Sequence, residues 1–415
     1  MCGLKGYNIM RLIVTGITGL DKMEYLKEIS QLLESNLESI KNSYGIYLDP
    51  NILKEAKIEK EDILDLDNET CKEGELRSPA YLDKPKKDLL RYKNDAFDKI
   101  IKKFKEKENV ILSLHAVYNR GKSLFHVLDW EKLWAFKPDM FINLIDNFYR
   151  VRATTKKRID EGRLDPSEYL SLKDIIIWRE AEIMATEMMA NNIYEITNGK
   201  FRKKKVPCYL VAKEHGFPLI HQLMFESDKA LGENNGKKIV YASYPITRAK
   251  DKKTLKKEAE NFRNLLKKYF IVLDPYTITE KLLHEEFKKN MLEDNPIDTI
   301  EMEGYSFNIW EIFPIIDDIN AHIISRDYRL IDSCEMLMAY RPALSIGANR
   351  EISYAHKTGQ VEVHIIHPFE DEAIGGPWMT QERTKRYFSI NEFIDKFEGK
   401  MLKQGKEGYV TKNWR

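Results

Sequence analysis

The sequence predicts an α/β protein of two domains, each built on a mostly parallel sheet. Three observations carry this. Strand-length apolar runs alternate with longer amphipathic segments of helical period, the pattern of parallel strands joined by helical crossovers. The alternation stops at 232–238 (GENNGKK), a loop-type cluster, and then restarts. A chain of 415 residues is long enough for two or three domains at roughly 100–200 residues each.

In the first half, strands are expected at 9–15, at 109–117 (NVILSLHAV), at 140–145 after the breaker pair Lys137-Pro138, and at 206–212. Helices are expected at 21–36, 89–107 and 175–192, the last with apolar residues at helical spacing. The second half begins with a strand at 239–242, a helix at 252–269, a strand at 270–274 and a helix from Thr279. A long helix at about 315–333 leads to a strand at 336–340, a helix at 349–358 and a strand at 361–366. The domains are therefore drawn at 1–232 and 237–398, with a basic C-terminal tail at 399–415.

Composition excludes several classes. The 67 Lys+Arg nearly cancel the 66 Asp+Glu, leaving +1, so no global field steers the chain to a polyanion and general nucleic-acid binding is not expected. A content of 43% hydrophobic and 32% charged residues suits a packed core and argues against disorder. No run approaches 18 apolar residues, so no membrane span is expected. The opening MCGLKGYNIMRLIV enters a strand without a signal-peptide pattern, and a cytoplasmic protein is expected. Cys2, Cys71, Cys208 and Cys334 lie far apart and read as free thiols. His364 and His367 fall on opposite faces of a strand, so no metal site is expected there.

In the first domain, the strand at 9–15 runs into Gly16-Ile17-Thr18-Gly19-Leu20-Asp21-Lys22-Met23 and then a helix. Strand, glycine turn, lysine and helix make a phosphate loop, with Gly16, Gly19 and Lys22 as its candidate residues. Two positions depart from the pattern. Asp21 puts a carboxylate where the glycine before the lysine belongs, and Met23 replaces the hydroxyl that would hold Mg²⁺. With VILSLHAV and its His115, 136–139 (FKPD) and the Arg-rich 149–163 (YRVRATTKKRIDEGR), residues 9–215 resemble a P-loop kinase of the archaeal adenylate kinase type. That resemblance implies a P-loop kinase-like sheet, a lid at 149–163 and ATP with Mg²⁺ at the loop. The departures imply a retained scaffold with lost catalysis.

In the second domain, Asp327 sits within an apolar stripe of Ile323, Ile324, Leu330 and Ile331 at helical spacing. A carboxylate buried there costs several kcal/mol unless paired. Ser345 and Gly347 stand at a helix start after a buried strand, where backbone N–H groups can receive a phosphate. Glu351 follows in the first turn, a position the helix dipole favours for any glutamate.

Tyr241-Ala-Ser243, Arg326-Asp327-x3-Ile331-x3-Glu335 and Ser345-x-Gly347-x3-Glu351-Ile-x-Tyr-Ala together resemble the nucleoside 2-deoxyribosyltransferase superfamily over about 237–370. The resemblance implies a smaller flavodoxin-like, doubly wound sheet. It also implies a nucleophilic Glu351, an Asp327 that handles the leaving base, and Tyr241 beside the nucleophile. Glu335 stands where the family usually has Asp. Transferases acting on free nucleosides carry an acid six residues before the nucleophile. Ser345 stands there instead, so the chain is more similar to the 2′-deoxynucleoside 5′-phosphate N-hydrolases, and a hydroxyl does not repel a phosphate. Ser243 and Arg248 match the spacing of that branch's phosphate-binding loop, which here has Pro245 and no glycine.

The expected function is an N-glycosidase acting on a (deoxy)nucleoside 5′-monophosphate through a glycosyl-enzyme on Glu351, or transferring the sugar to another base. Cleavage needs no cofactor, and a homo-oligomer is implied by the resemblance. The alternatives are a nucleotide or nucleoside kinase using the first loop, a non-catalytic nucleotide sensor, and a dinucleotide as substrate. Base specificity is assigned to walls from 277–305, and 375–378 (GGPW) to a surface turn.

Overall fold

A computed structural model describes residues 10–403 except 74–79, 106, 108, 198–199, 232–235, 246–252, 294–296, 343–344 and 368–383. The protein is α/β, with two five-stranded sheets in which every pairing is parallel. By their contacts the residues divide into two compact units. One takes Met1–Asn36, Leu48–Glu226 and Thr277–Arg326; the other takes Leu37–Tyr47, Ser227–Tyr276 and Asp327–Arg415. Neither unit is one continuous stretch of chain.

The first unit contains β1 (Met10–Thr15), β2 (Ile63–Asp65), β3 (Asn109–Ser113), β4 (Met140–Ile145) and β5 (Cys208–Ala212), in the order β2-β3-β1-β4-β5. These strands read as near-continuous apolar runs because helices cover both faces of the sheet. Ile13, Leu112 and Phe141 pack with Phe97, Phe104 and Phe136 in a closed core. β4 occupies the span its apolar run predicts. β3 is shorter than the run 109–117: the N–H groups of Ala116 and Val117 leave the ladder and bond to the carboxylate of Glu182. β2, only three residues long, is too short to give a periodic signal. The helix expected over 21–36 is α1 (Lys22–Lys27), followed by a 3-10 turn at Glu28–Gln31. The unit also holds α2 (Leu66–Glu73), α3 (Lys86–Lys103), α4 (Phe148–Asp160) and α5 (Leu172–Asn191). Buried Arg179 of α5 pairs with Glu280 at 2.5 Å, and Glu280 also accepts from the Phe148 N–H. Those bonds fasten the 277–326 segment to this unit.

The second unit contains β6 (Ile239–Ser243), β7 (Ile271–Leu273), β8 (Met336–Tyr340), β9 (Glu362–Ile366) and β10 (Thr384–Tyr387), in the order β7-β6-β8-β9-β10. α6 (Lys253–Tyr269) and α9 (Ile390–Lys403) cover one face, where Phe262, Leu266 and Phe393 pack on Val240, Ala242, Met336 and Met338. Side chains alternate along a strand, so Tyr241 and Ser243 lie on the opposite face. α7 (Ile316–Asp332) begins among the first unit's residues and ends among the second's. α8 (Ile346–Thr358) packs on β8 and β9. His364 Nδ1 lies 3.1 Å from the Tyr387 hydroxyl and His367 Nδ1 2.9 Å from the Arg341 carbonyl, so the two rings serve different partners. Among the described residues no helix is long and apolar enough to cross a membrane.

Candidate functional site

In each sheet the crevice that matters lies at the carboxyl ends of the strands, where the chain's connections part to either side. At the first sheet, the loop after β1 has Gly16 at φ 140° and Gly19 at φ 94°. A Cβ on Gly16 would lie 2.6 Å from the Leu144 carbonyl oxygen, so both conformation and space demand glycine there. Asp21 caps α1 at φ 51°, ψ 42°, a left-handed conformation. The backbone thus keeps the bend that glycine ordinarily fills, and an aspartate bears the strain.

The groups that would hold a phosphate at this loop are bound to the protein itself. Lys22 is 8% exposed, and its ammonium donates to the carbonyls of Gly16 at 2.5 Å and Leu114 at 3.0 Å. Burial lowers its pKa. The Gly16 N–H donates to Glu182 at 3.0 Å, and the same fully buried carboxylate accepts from Ala116 and Val117 at 2.8 and 2.6 Å. The Arg-rich segment 149–163 forms most of α4. Its Arg158 pairs with Asp21, Arg150 with Glu214 and Glu303, and Arg152 with Glu311.

Beside the loop lies a cavity of about 400 Å³. Its lining includes five carboxylates (Asp21, Glu24, Asp65, Asp67, Glu168), two basic side chains (Lys22, Arg158) and an aromatic wall of His115, Tyr118 and Trp178. Asp67 accepts from Lys93 at 3.1 Å and from the Tyr118 hydroxyl, and lies 2.5 Å from His115 Nδ1. Burial alone would raise its pKa, but Lys93 and His115 hold it well below the usual carboxylate range. Asp65 shifts the other way: burial, and then the charge of Asp67, raise it. Sequence reading missed both residues, although Asp-Leu-Asp at the end of an apolar run was their signal.

At the second sheet, the structure brings together two of the expected residues directly. Ser243, at the end of β6, donates its hydroxyl proton to Glu351 Oε2 at 2.5 Å. Ser243 is fully buried and Glu351 half-buried. Tyr241 is fully buried two residues earlier on the same strand face. Ser345 caps α8, its hydroxyl oxygen accepting from the Ala348 N–H at 3.4 Å, and Gly347 lies in the first turn. α7 and α8 run together near Glu351: Tyr328 stacks on Tyr354 with centroids 3.8 Å apart, and the Tyr354 hydroxyl donates to Asp332 at 2.7 Å. Asp327, one residue from Tyr328, is half-buried.

The expected apolar stripe around Asp327 needs correction. Ile323, Leu330 and Ile331 are buried, but Ile324 is 40% exposed and Arg326 takes a buried position in its place. Arg326 Nη1 donates to the Ile278 carbonyl at 3.4 Å, which offsets the cost of burying it. Residues 277–305, expected to wall the base pocket, group with the first unit. Arg248 and the turn 375–378 lie outside the described residues. One brace beside the crevice has no counterpart in the sequence reading. Buried Asp274 joins Arg263, the Tyr244 hydroxyl at 2.9 Å and the Tyr276 N–H at 3.0 Å, fixing the chain as it leaves β6 and β7.

No protein-family model matches this chain, and a search of curated proteins gives no match.

Proposed function

We propose that the second unit is an N-glycosidase that cleaves the base–sugar bond of a (deoxy)nucleoside 5′-monophosphate. The observation that carries this is the 2.5 Å bond between Ser243 and Glu351 at the carboxyl edge of β6 and β8. Counted along this unit alone, the strand order is 2-1-3-4-5, the flavodoxin-like doubly wound order, whose ligands lie at the junction of strands one and three. Those strands are β6 and β8, and Glu351 stands on the helix that follows β8. In the first unit the order is 2-3-1-4-5, with the glycine loop on the central strand, which supports reading that sheet as P-loop kinase-like.

The chemistry follows that of a retaining glycosidase. The Ser243 hydroxyl donates to Glu351 and fixes one carboxylate oxygen. The other oxygen attacks C1′ as the C1′–N bond breaks, and the departing base takes a proton from Asp327. Water then attacks C1′, restores the carboxylate and returns its proton to Asp327, releasing sugar phosphate. The Ser345 hydroxyl accepts from Ala348 and keeps its own proton to donate to a phosphate oxygen. Tyr241 supports the floor beneath Ser243.

Incubating the protein with each nucleoside and deoxynucleoside monophosphate and separating free base by chromatography tests this. At least one should release base, and Glu351→Gln should slow release by roughly a thousandfold or more. Release from none of them, or a Glu351→Gln rate equal to wild type, overturns the proposal.

A further inference from the structure

The cavity lined by residues 17–24 of the first loop is read independently of the glycosidase proposal. Its position invites ATP, but its residues do not fit a bound polyphosphate. Lys22 is held by two carbonyls, Arg158 by Asp21, and the Gly16 N–H by Glu182. A phosphate would have to displace protein carboxylates from two of these three anchors. It would then face Asp65 and Glu24, with Asp67 paired to Lys93 and Glu168 to Arg120, across a space of about 400 Å³. Met23 offers no oxygen to a magnesium ion that a nucleotide would bring. Among the described residues no three His, Cys, Asp or Glu side chains converge to hold a metal ion themselves.

What the walls do offer is acceptors, amides and rings. Asp65 takes the N–H groups of Asp67 and Asn68 on Oδ1 alone, at 2.9 and 3.3 Å. Asn68, Asn119 and Thr18 line the same space, with Ile17, Leu82 and Leu170 as apolar surface. His115 stacks on Trp178 at 6.2 Å and tilts against Tyr118 at 5.5 Å, giving one aromatic wall. The volume falls in the range of pockets that hold drug-sized molecules. Hydrogen-bond acceptors of negative charge and an aromatic wall, with Lys22, Arg158 and the Gly16 N–H already engaged, favour an uncharged or cationic ring compound that bears hydroxyl or amino groups.

We propose that the first unit binds an unphosphorylated nucleoside or free nucleobase in this cavity, with Asp65 accepting hydrogen bonds from it, and that added phosphate weakens binding. The loop is then a scaffold that has turned from anion capture to anion exclusion.

Titration calorimetry on the full chain tests this with four kinds of probe: nucleosides, free bases, ATP with Mg²⁺, and orthophosphate. At least one nucleoside or base should bind. Its affinity should fall about tenfold or more in Asp65→Asn, which keeps the shape and removes the charge, and in Leu170→Trp, which fills the cavity. Asp65 and Leu170 both belong to the first unit, so a loss of affinity in these two variants places the ligand in this cavity and not in the second unit's crevice. The matching triphosphate should bind at least about tenfold more weakly. The proposal is overturned by binding of none of the nucleosides and bases, or by binding that survives both cavity variants. It is equally overturned by ATP or orthophosphate binding that Lys22→Ala removes.

Discussion

At the carboxyl end of the first sheet, Lys22, Arg158 and the Gly16 N–H are each held by the protein's own oxygens; at the carboxyl end of the second, the Ser243 hydroxyl steadies the carboxylate of Glu351. Both crevices arise from the same geometry, since parallel strands deliver loops and helix N-termini to one edge of the sheet. Their chemistry differs because of carboxylate placement. Glu182 accepts from the Gly16 N–H and Asp21 pairs with Arg158, so two of the first loop's polar groups are bound to carboxylates of the protein itself. At the second crevice Ser243 donates to Glu351, and the Ser345 hydroxyl caps the helix that carries it. A loop's backbone and its charge can therefore part company, and the fold reports only the former.

This contrast can be broken at defined points. The largest effect on stability is expected from Asp67→Ala, which leaves Lys93 buried without its carboxylate and should cost the first unit about 3–5 kcal/mol in denaturant unfolding. The same pair sets a pH dependence. The Asp67 pKa is depressed in the folded state, so its contribution is present above the unfolded carboxylate value of about 4 and is lost as pH falls below it. The acid limb of the first unit's stability curve should therefore be shallower in Asp67→Asn than in wild type; an identical limb would show that this carboxylate carries none of the dependence.

Ser243→Ala comes next. It removes a hydrogen bond to an ionised group at the second crevice, and base release should slow about 10- to 100-fold while the melting temperature changes little. An undiminished rate would mean that Glu351 needs no steadying from β6. Asp21→Gly should have the smallest effect. It relieves a left-handed residue, worth about 1 kcal/mol, and loses a partly exposed ion pair worth about the same or less. Stability should stay within about 1 kcal/mol of wild type by the same unfolding measurement. A larger loss would show that the Asp21–Arg158 pair holds α4 against the loop.

Most strands of the two large sheets are legible because both faces of each sheet are covered, which turns a buried strand into an apolar run such as MFINLI or MLMAY, whereas β2 is too short and β10 too exposed to give one. The glycine loop was legible because positive φ at Gly16 and Gly19 leaves few other residues. Ser243 and Glu351 stand 108 residues apart in the sequence, and only pairing of β6 with β8 brings them into contact. Glu182 left no trace at all. It sits 166 residues from Gly16 on a helix that reads as plain core, and its carboxylate finds its partners only once β1, β3 and α5 have packed.

Periodicity and turn chemistry are local, so the sequence by itself determined the α/β class, most strands of the two large sheets and the bent loop at 16–21. Which groups a crevice keeps free is not local. It depends on charges brought from distant helices into a low-dielectric interior, where each must find a partner. The tertiary structure alone decided that Ile324 faces solvent while Arg326 is buried, that 277–326 joins the first unit, and that the Gly16 N–H and the Lys22 ammonium go to Glu182 and to backbone carbonyls.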